Sequence, residues 1–342
     1  MRFRKLSLLL VVVSLTAVSC SDTKRGGVSL EGAGATFPAP LYQKWFESYH
    51  TAHPAVKINY DNVGSGAGIQ LFTGALVDFG ASDAAMSDEQ IRQVTNGGVQ
   101  LVPTTAGMVV LAYNLPSISQ PLQLPREVYA DIWLGKITYW DDPKIISANP
   151  GVALPSTEIK SVHRLGASGT TYVFTKHLSA ISEEWKKKYA QGLTVEWPAG
   201  TGAKGSDGIA AYIQQTPGAI GYLDFGTATR KNLTIASLQN KAGEYVKPSM
   251  ESCQAAIVNA PLPENLRVSI PDPDGKSSYP IVTFTWILAH SKYENPNTAA
   301  VLKDLLKYGL TDGQKECTPL GYVPLPEGVR KVVLEAVDRI SS

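Results

Sequence analysis

The chain has 342 residues, 44% hydrophobic and 18% charged, with 31 Lys+Arg against 30 Asp+Glu. Such length and apolar content exclude a disordered chain and leave room for two domains. Near-even charge without a basic run excludes the electrostatic footprint of a nucleic-acid binder. Three cysteines with no CxxC or Cys/His spacing exclude a dense disulfide scaffold and supply no zinc site.

The N-terminus carries Arg2, Arg4 and Lys5, then an apolar run over residues 6–18 that is too short to span a bilayer comfortably. A basic start, a short apolar centre and small residues at its end predict a signal peptide over residues 1–19. The run into Ala17-Val18-Ser19-Cys20 resembles a lipobox, with Ala17 where leucine is usual. That predicts an acylated Cys20 as the new N-terminus and a lipidated tether over residues 20–27; ordinary secretion with Cys20 incidental is the alternative. Removing residues 1–19 takes away three basic residues and no acidic one, so the formal charge of +1 becomes −2. No other segment is long and apolar enough to span a membrane. The expected location is the periplasm or cell surface, with lipid as the sole membrane attachment. Cys253 and Cys317 would then lie in a compartment that permits disulfides, and the sequence leaves open whether they pair.

Beyond the tether one local pattern recurs: an extended run, a loop of Gly, Ser and Thr, then a helix. Residues 28–30 lead into Gly32-Ala33-Gly34-Ala35-Thr36-Phe37. Pro38 and Pro40 then open a helix with Leu41, Trp45, Phe46 and Tyr49 on one face. Residues 56–63 alternate like a strand before Gly64-Ser65-Gly66-Ala67-Gly68 and a helical stretch from Ile69. Residues 77–81 lead to Ser82-Asp83, with a helix starting near Ser87, capped reciprocally by Gln90. Residues 159–164 lead to Leu165-Gly166-Ala167-Ser168-Gly169-Thr170 and helical residues 171–178. Apolar runs over 108–113 and 281–288 read as buried strands, or as the places where the chain passes between lobes. Near the C-terminus, Val301, Leu302, Leu305 and Leu306 predict one core-facing helix. Val329, Val332, Val333, Ala336, Val337 and Ile340 predict another. Strands alternating with helices at this spacing indicate α/β architecture, whose ligands sit beyond the strands' carboxyl ends.

The enzyme motifs fail. Lys204 is followed by Gly205, so there is no P-loop, and Gly64-Ser65-Gly66 meets Ile69 where a dinucleotide fingerprint needs glycine. Around Ser168 a nucleophile elbow would need glycine at Thr170. His50, His53, His163, His177 and His290 form no metal-ligand spacing and no base–nucleophile pair. An enzyme, a metal and a cofactor are therefore not expected. The four loops suit an anion instead: helix N-termini offer unpaired N–H groups and partial positive charge, hydroxyls add donors, and Arg164 adds a planar fork matched to tetrahedral oxyanions. Asp83 is discordant unless the anion carries a proton for its carboxylate to accept. Phosphate carries one near neutral pH and sulfate does not, so a buried Asp83 would reject sulfate.

The stretches Gly32–Pro40, Val77–Asp83, Arg164–Thr170, Gly205–Ala211, Pro217–Tyr222, Leu134-Gly135-Lys136-Ile137 and Trp140-Asp141-Asp142 resemble the phosphate-binding component of ABC phosphate transporters. The resemblance runs in order from about Leu30 nearly to the C-terminus. It implies a two-lobe, type II-like periplasmic-binding-protein fold hinged on two crossover strands. The lobes would comprise residues 28–107 plus 282–342 and residues 108–281. It also implies inorganic phosphate as ligand, transmembrane permease subunits as partners, and a monomer. Carried over by position, Thr36, the Phe37 N–H and Ser65 would bind phosphate from one lobe, with Asp83 accepting its proton. Arg164, Ser168 and the N–H groups of Gly169 and Thr170 would bind from the other. Gly166 departs from the pattern, which commonly has an acidic partner for the arginine there, and Gly66 follows Ser65 where some relatives have a second serine. The alternatives are a secreted phosphate-ester hydrolase with Ser65 or Ser168 as nucleophile, and a phosphate sensor built on the same anion site.

Overall fold

The computed structural model describes residues 27–95, 97–258 and 260–342. The expected signal peptide, Cys20 and all of the tether but Gly27 lie outside the described residues. The chain begins β1 (Val28–Gly34), α1 (Ala39–Ala52), β2 (Val56–Asp61), α2 (Ser65–Thr73), β3 (Phe79–Ser82), α3 (Asp88–Arg92) and a long β4 (Val99–Tyr113). Next come β5 (Gln123–Leu124), α4 (Arg126–Trp133), α5 (Pro143–Ala148), β6 (Lys160–Arg164), α6 (Gly169–Ile181) and α7 (Glu183–Lys188). They are followed by β7 (Thr201–Ala203), α8 (Gly205–Gln215), β8 (Ala219–Asp224) and α9 (Phe225–Arg230). Short strands β9 (Thr234–Ile235), β10 (Ser237–Gln239) and β11 (Tyr245–Val246) and helix α10 (Met250–Ile257) precede β12 (Val282–His290), α11 (Pro296–Leu310) and α12 (Glu327–Asp338).

The main sheet runs β2-β1-β3-β12-β4-β8-β6-β7. Strand β4 serves both halves of it: Val99–Met108 pair with β12, and Val109–Tyr113 with β8. Where the partner changes, Val109 N–H donates to Ile281 O at 3.0 Å. The result is the expected two-lobe α/β fold, with β1, β2 and β3 mutually parallel in one lobe and β6, β7 and β8 in the other. Parallel strands align their carboxyl ends, so the loops that follow them gather at the cleft.

Sequence patterning accounts for most of the helices. On α1, Leu41, Trp45, Phe46 and Tyr49 are all buried, as their spacing requires. Helix α3 carries the capping box of Ser87 and Gln90. On α11, Leu302, Leu305 and Leu306 are buried. The α12 stripe is narrower than its pattern: Val333, Ala336 and Val337 are buried, whereas Val332, about 100° round the helix from Val333, is 39% exposed. The run read at 108–113 is only the second half of β4, because Pro103, which lacks an N–H, interrupts the strand pattern of the first half.

The cysteines answer a question that the sequence left open. Cys253 and Cys317 are both free thiols, and both are buried. Cys253 lies on the buried face of α10, while Cys317 Sγ faces Thr105 Oγ1 of β4 at 3.5 Å. A permissive compartment does not bring two side chains into bonding geometry. No helix among the described residues is long and apolar enough to cross a membrane.

Candidate anion-binding site

Three loops of one lobe supply the first half of the site. After β1, Thr36 and Phe37 turn into α1; the Phe37 ring packs edge-on against Tyr322 at 5.8 Å, and Tyr322 Oη donates to Phe37 O at 2.6 Å. After β2, Gly64 N–H donates to Gly34 O at 2.8 Å, joining the first two loops, and Ser65 begins α2. Ser65 Oγ accepts from Asp83 N at 3.1 Å, which ties the second loop to the third. Asp83 directly follows β3.

The other lobe contributes the end of β6 and the start of α6. Arg164 is the last residue of β6, and its N–H donates to Tyr222 Oη at 3.0 Å. Its guanidinium reaches both lobes, donating from Nη1 to Thr170 Oγ1 at 3.2 Å and from Nη2 to Thr36 Oγ1 at 3.0 Å. Ser168 caps α6 by accepting from Thr171 N at 3.3 Å. Gly169 and Thr170 are the first two helical residues, so their N–H groups have no partner within the helix. The lobes also touch through backbone: Gly66 N–H donates to Ala167 O at 3.0 Å. At Gly169 the approach is closer still, since a Cβ there would lie 2.8 Å from both Asp83 Cβ and Oδ2, and nearer to Ser65 Oγ.

Thr36, Ser65, Asp83, Arg164, Gly169 and Thr170 thus meet directly, and Phe37 and Ser168 sit beside them in the chain. The charged pair among them is almost dry, Asp83 being 2% and Arg164 5% exposed. Burial lowers the Arg164 guanidinium from its usual range, opposed by Tyr222, Asp83 and Asp224. Gly166 is exposed and offers Arg164 no side-chain partner, and the hydrogen bonds of Arg164 go to Thr36, Thr170 and Tyr222.

Burial likewise pushes the Asp83 carboxyl up to about 7, against the opposing effects of the Thr285 hydrogen bond and the Arg164 charge. Its folded-state value therefore exceeds the ordinary 3.8, so the folded chain holds a proton that the unfolded chain has released. The stability Asp83 contributes is complete below about pH 4 and is lost as pH rises through about 7. Asp83→Asn removes this decline. The melting temperature of the variant relative to wild type is expected to climb between pH 4 and pH 8, and a flat difference would show that Asp83 ionises as it would in water.

The sequence reading missed three contributors. Thr285 Oγ1 donates to Asp83 Oδ1 at 2.8 Å. Tyr222, besides receiving the Arg164 N–H, pairs with Thr171 Oγ1 at 2.6 Å. Asp224 is a second fully buried carboxylate, capping α9 through Thr227 N at 2.7 Å. The signal for Asp224 was present: an acidic residue ending an apolar strand, as Asp83 does after β3. The histidines take other roles. His163 stacks on Trp197 at 5.0 Å, His290 stacks on Phe72 at 4.2 Å, and His177 bonds Tyr129 Oη at 2.9 Å and Pro271 O at 2.8 Å.

A family model described as a PBP superfamily domain matches residues 21–312. A phosphate-binding protein PstS from Methanocaldococcus jannaschii is 39% identical, over 98% of this chain and 94% of its own. Another PstS, from Pasteurella multocida, is 41% identical over 88% of this chain and 87% of its own. The chain belongs to the PstS family of phosphate-binding proteins. Solved structures share the PstS chain's fold at lower identity. A phosphate-binding protein from Stenotrophomonas maltophilia superposes with a TM-score of 0.71 at 18% identity, over 90% of this chain and 93% of its own. A high-affinity periplasmic phosphate-binding protein bound with phosphate gives 0.73 at 21% identity, with the same two coverages.

Proposed function

We propose that this PstS chain binds inorganic phosphate between its two lobes, outside the cytoplasm, and delivers it to the membrane permease of an ABC phosphate transporter. The observation that carries this reading is a buried cleft in which Arg164 and the N-terminus of α6 meet the loop of Thr36 and the buried carboxylate of Asp83 across the lobe boundary. The N–H groups, hydroxyls and guanidinium take the place of the anion's water shell, and Asp83 takes up the hydrogen bond of its proton. Closure follows from affinity: a ligand that touches both lobes binds the closed state better than the open one.

We place the lobes at residues 28–107 plus 282–342 and at residues 108–281. The change of β4 partner between Met108 and Val109 supports that division. The basic and apolar N-terminus, with Ala17-Val18-Ser19-Cys20, supports secretion and lipid attachment through Cys20. The hydrolase alternative is less well served: Ser168 Oγ is occupied in capping α6, and Ser65 Oγ, which accepts from Asp83 N at 3.1 Å, meets the Asp83 carboxylate only at a marginal 3.5 Å.

Calorimetric titration tests the ligand. Phosphate is expected to bind roughly a hundredfold more tightly than sulfate at about pH 9, two units above the Asp83 value, where sulfate must either face a buried carboxylate or have Asp83 take up a proton at a cost of about 2.7 kcal/mol. Equal affinity for the two anions overturns the reading.

A further inference from the structure

The Asp83 carboxylate is held firmly at one oxygen. Thr285 Oγ1 donates to Oδ1 at 2.8 Å, whereas Ser65 Oγ stands 3.5 Å from Oδ2. Thr285 is itself fully buried, on strand β12. Its only other acceptor among the described residues is Ser82 O at 3.4 Å, so its single hydroxyl proton goes to the carboxylate.

Strand pairing explains how Thr285 comes to face Asp83. Opposite β4 the register of β12 slips by one residue between Thr285 and Trp286, which pair with Thr105 and Pro103. Pro103 has no N–H to give the ladder, and a bulge of this kind re-aims the side chains beside it. Thr104, the extra residue, pins the bulge: its Oγ1 donates to Thr285 O at 3.2 Å and pairs with Tyr42 Oη at 2.7 Å. A cavity of about 240 Å³ adjoins Asp83, with Lys176 and Arg267 on its wall.

We propose that Thr285 is a positioning residue that fixes Asp83 as a proton acceptor aimed into the cleft, and so sets the discrimination between protonated and unprotonated oxyanions. The proposal rests on the reading of the cleft as a phosphate site. The charges acting on Asp83 are Arg164 and Asp224 from the other lobe; Lys176 and Arg267, the latter paired with Asp88, line the adjoining cavity. Tyr42, Tyr60 and Tyr322 also sense it, and burial keeps all three neutral. The Thr285 hydrogen bond opposes the burial-driven rise of Asp83, so its loss moves the carboxyl further upward.

Wild type, Thr285→Val and Thr285→Ser would be titrated with phosphate and with sulfate from pH 6 to 9. Valine matches threonine in shape but cannot donate. It is expected to weaken phosphate binding roughly ten- to hundredfold, as the loss of a hydrogen bond to a charged group does. Sulfate affinity should hold or rise, and the pH of tightest phosphate binding should move upward. Serine restores the donor and the wild-type profile. Should the valine variant not fold, Thr285→Ala carries the same expectation. A donor-less variant with wild-type selectivity and pH profile overturns the proposal. Wild type that fails to distinguish the two anions overturns the ligand reading itself, so the two failures are separable.

Discussion

Arg164→Ala is expected to weaken phosphate binding roughly a hundred- to several-thousand-fold, the range for removing one partner from a buried, hydrogen-bonded charge arrangement. Three consequences combine. The anion loses a guanidinium that is 5% exposed and therefore poorly screened. Thr36 and Thr170 lose the group that bridges them across the cleft. Asp83, buried, loses the cation that offsets it. Arg164→Lys separates charge from geometry: a lysine keeps the charge but not the fork, so its affinity should fall between those of alanine and wild type. The measurement is a phosphate titration at two salt concentrations. Wild-type affinity in the alanine variant would remove Arg164 from the site.

Gly169→Ala acts through space instead of charge. Gly169 does not have a positive φ, so alanine is compatible with the backbone, and at the start of α6 it is the better helix former. Its methyl group, however, would sit 2.8 Å from Asp83 Cβ, inside van der Waals contact, with Ser65 Oγ closer again. All of this crowding falls between the lobes. The ligand-free variant should melt at or slightly above the wild-type temperature, while phosphate affinity drops roughly five- to 150-fold, the equivalent of about 1–3 kcal/mol of overpacking. Small-angle scattering should show the variant more open in phosphate than wild type. Gly208→Ala is the control, because its nearest contact, with Ala203, is an ordinary 3.6 Å. Equal losses in both variants would mean that Gly169 has no special place in closure.

What the sequence made legible was local. The alternation of runs, loops and helices gave the α/β class, and the composition of the four loops marked the strand ends that meet at the cleft. Thr36, Ser65, Asp83, Arg164, Ser168, Gly169 and Thr170 lie in those loops, and the family resemblance singled them out there by position. Thr285 did not stand out, because its meaning depends on a partner 202 residues away, reached through the register of β12. Tyr222 was quoted only as part of a motif, and its contact with Arg164 depends on the pairing of β6 with β8. The first half of β4 was hidden by Pro103, a residue that argues against a central strand unless a bulge accommodates it. The cysteines were undecidable in sequence for a similar reason, since bonding requires proximity that spacing does not encode.

The two unpaired thiols have a consequence for biogenesis. Burial raises both, Cys317 to about 12, so neither is an appreciable thiolate at neutral pH, and neither invites oxidation or exchange. Among the described residues the native shape owes nothing to a disulfide. With Cys253 and Cys317 unpaired, folding of the described residues calls for no disulfide oxidase, and the fold should withstand reductants that dismantle cystine-stapled proteins.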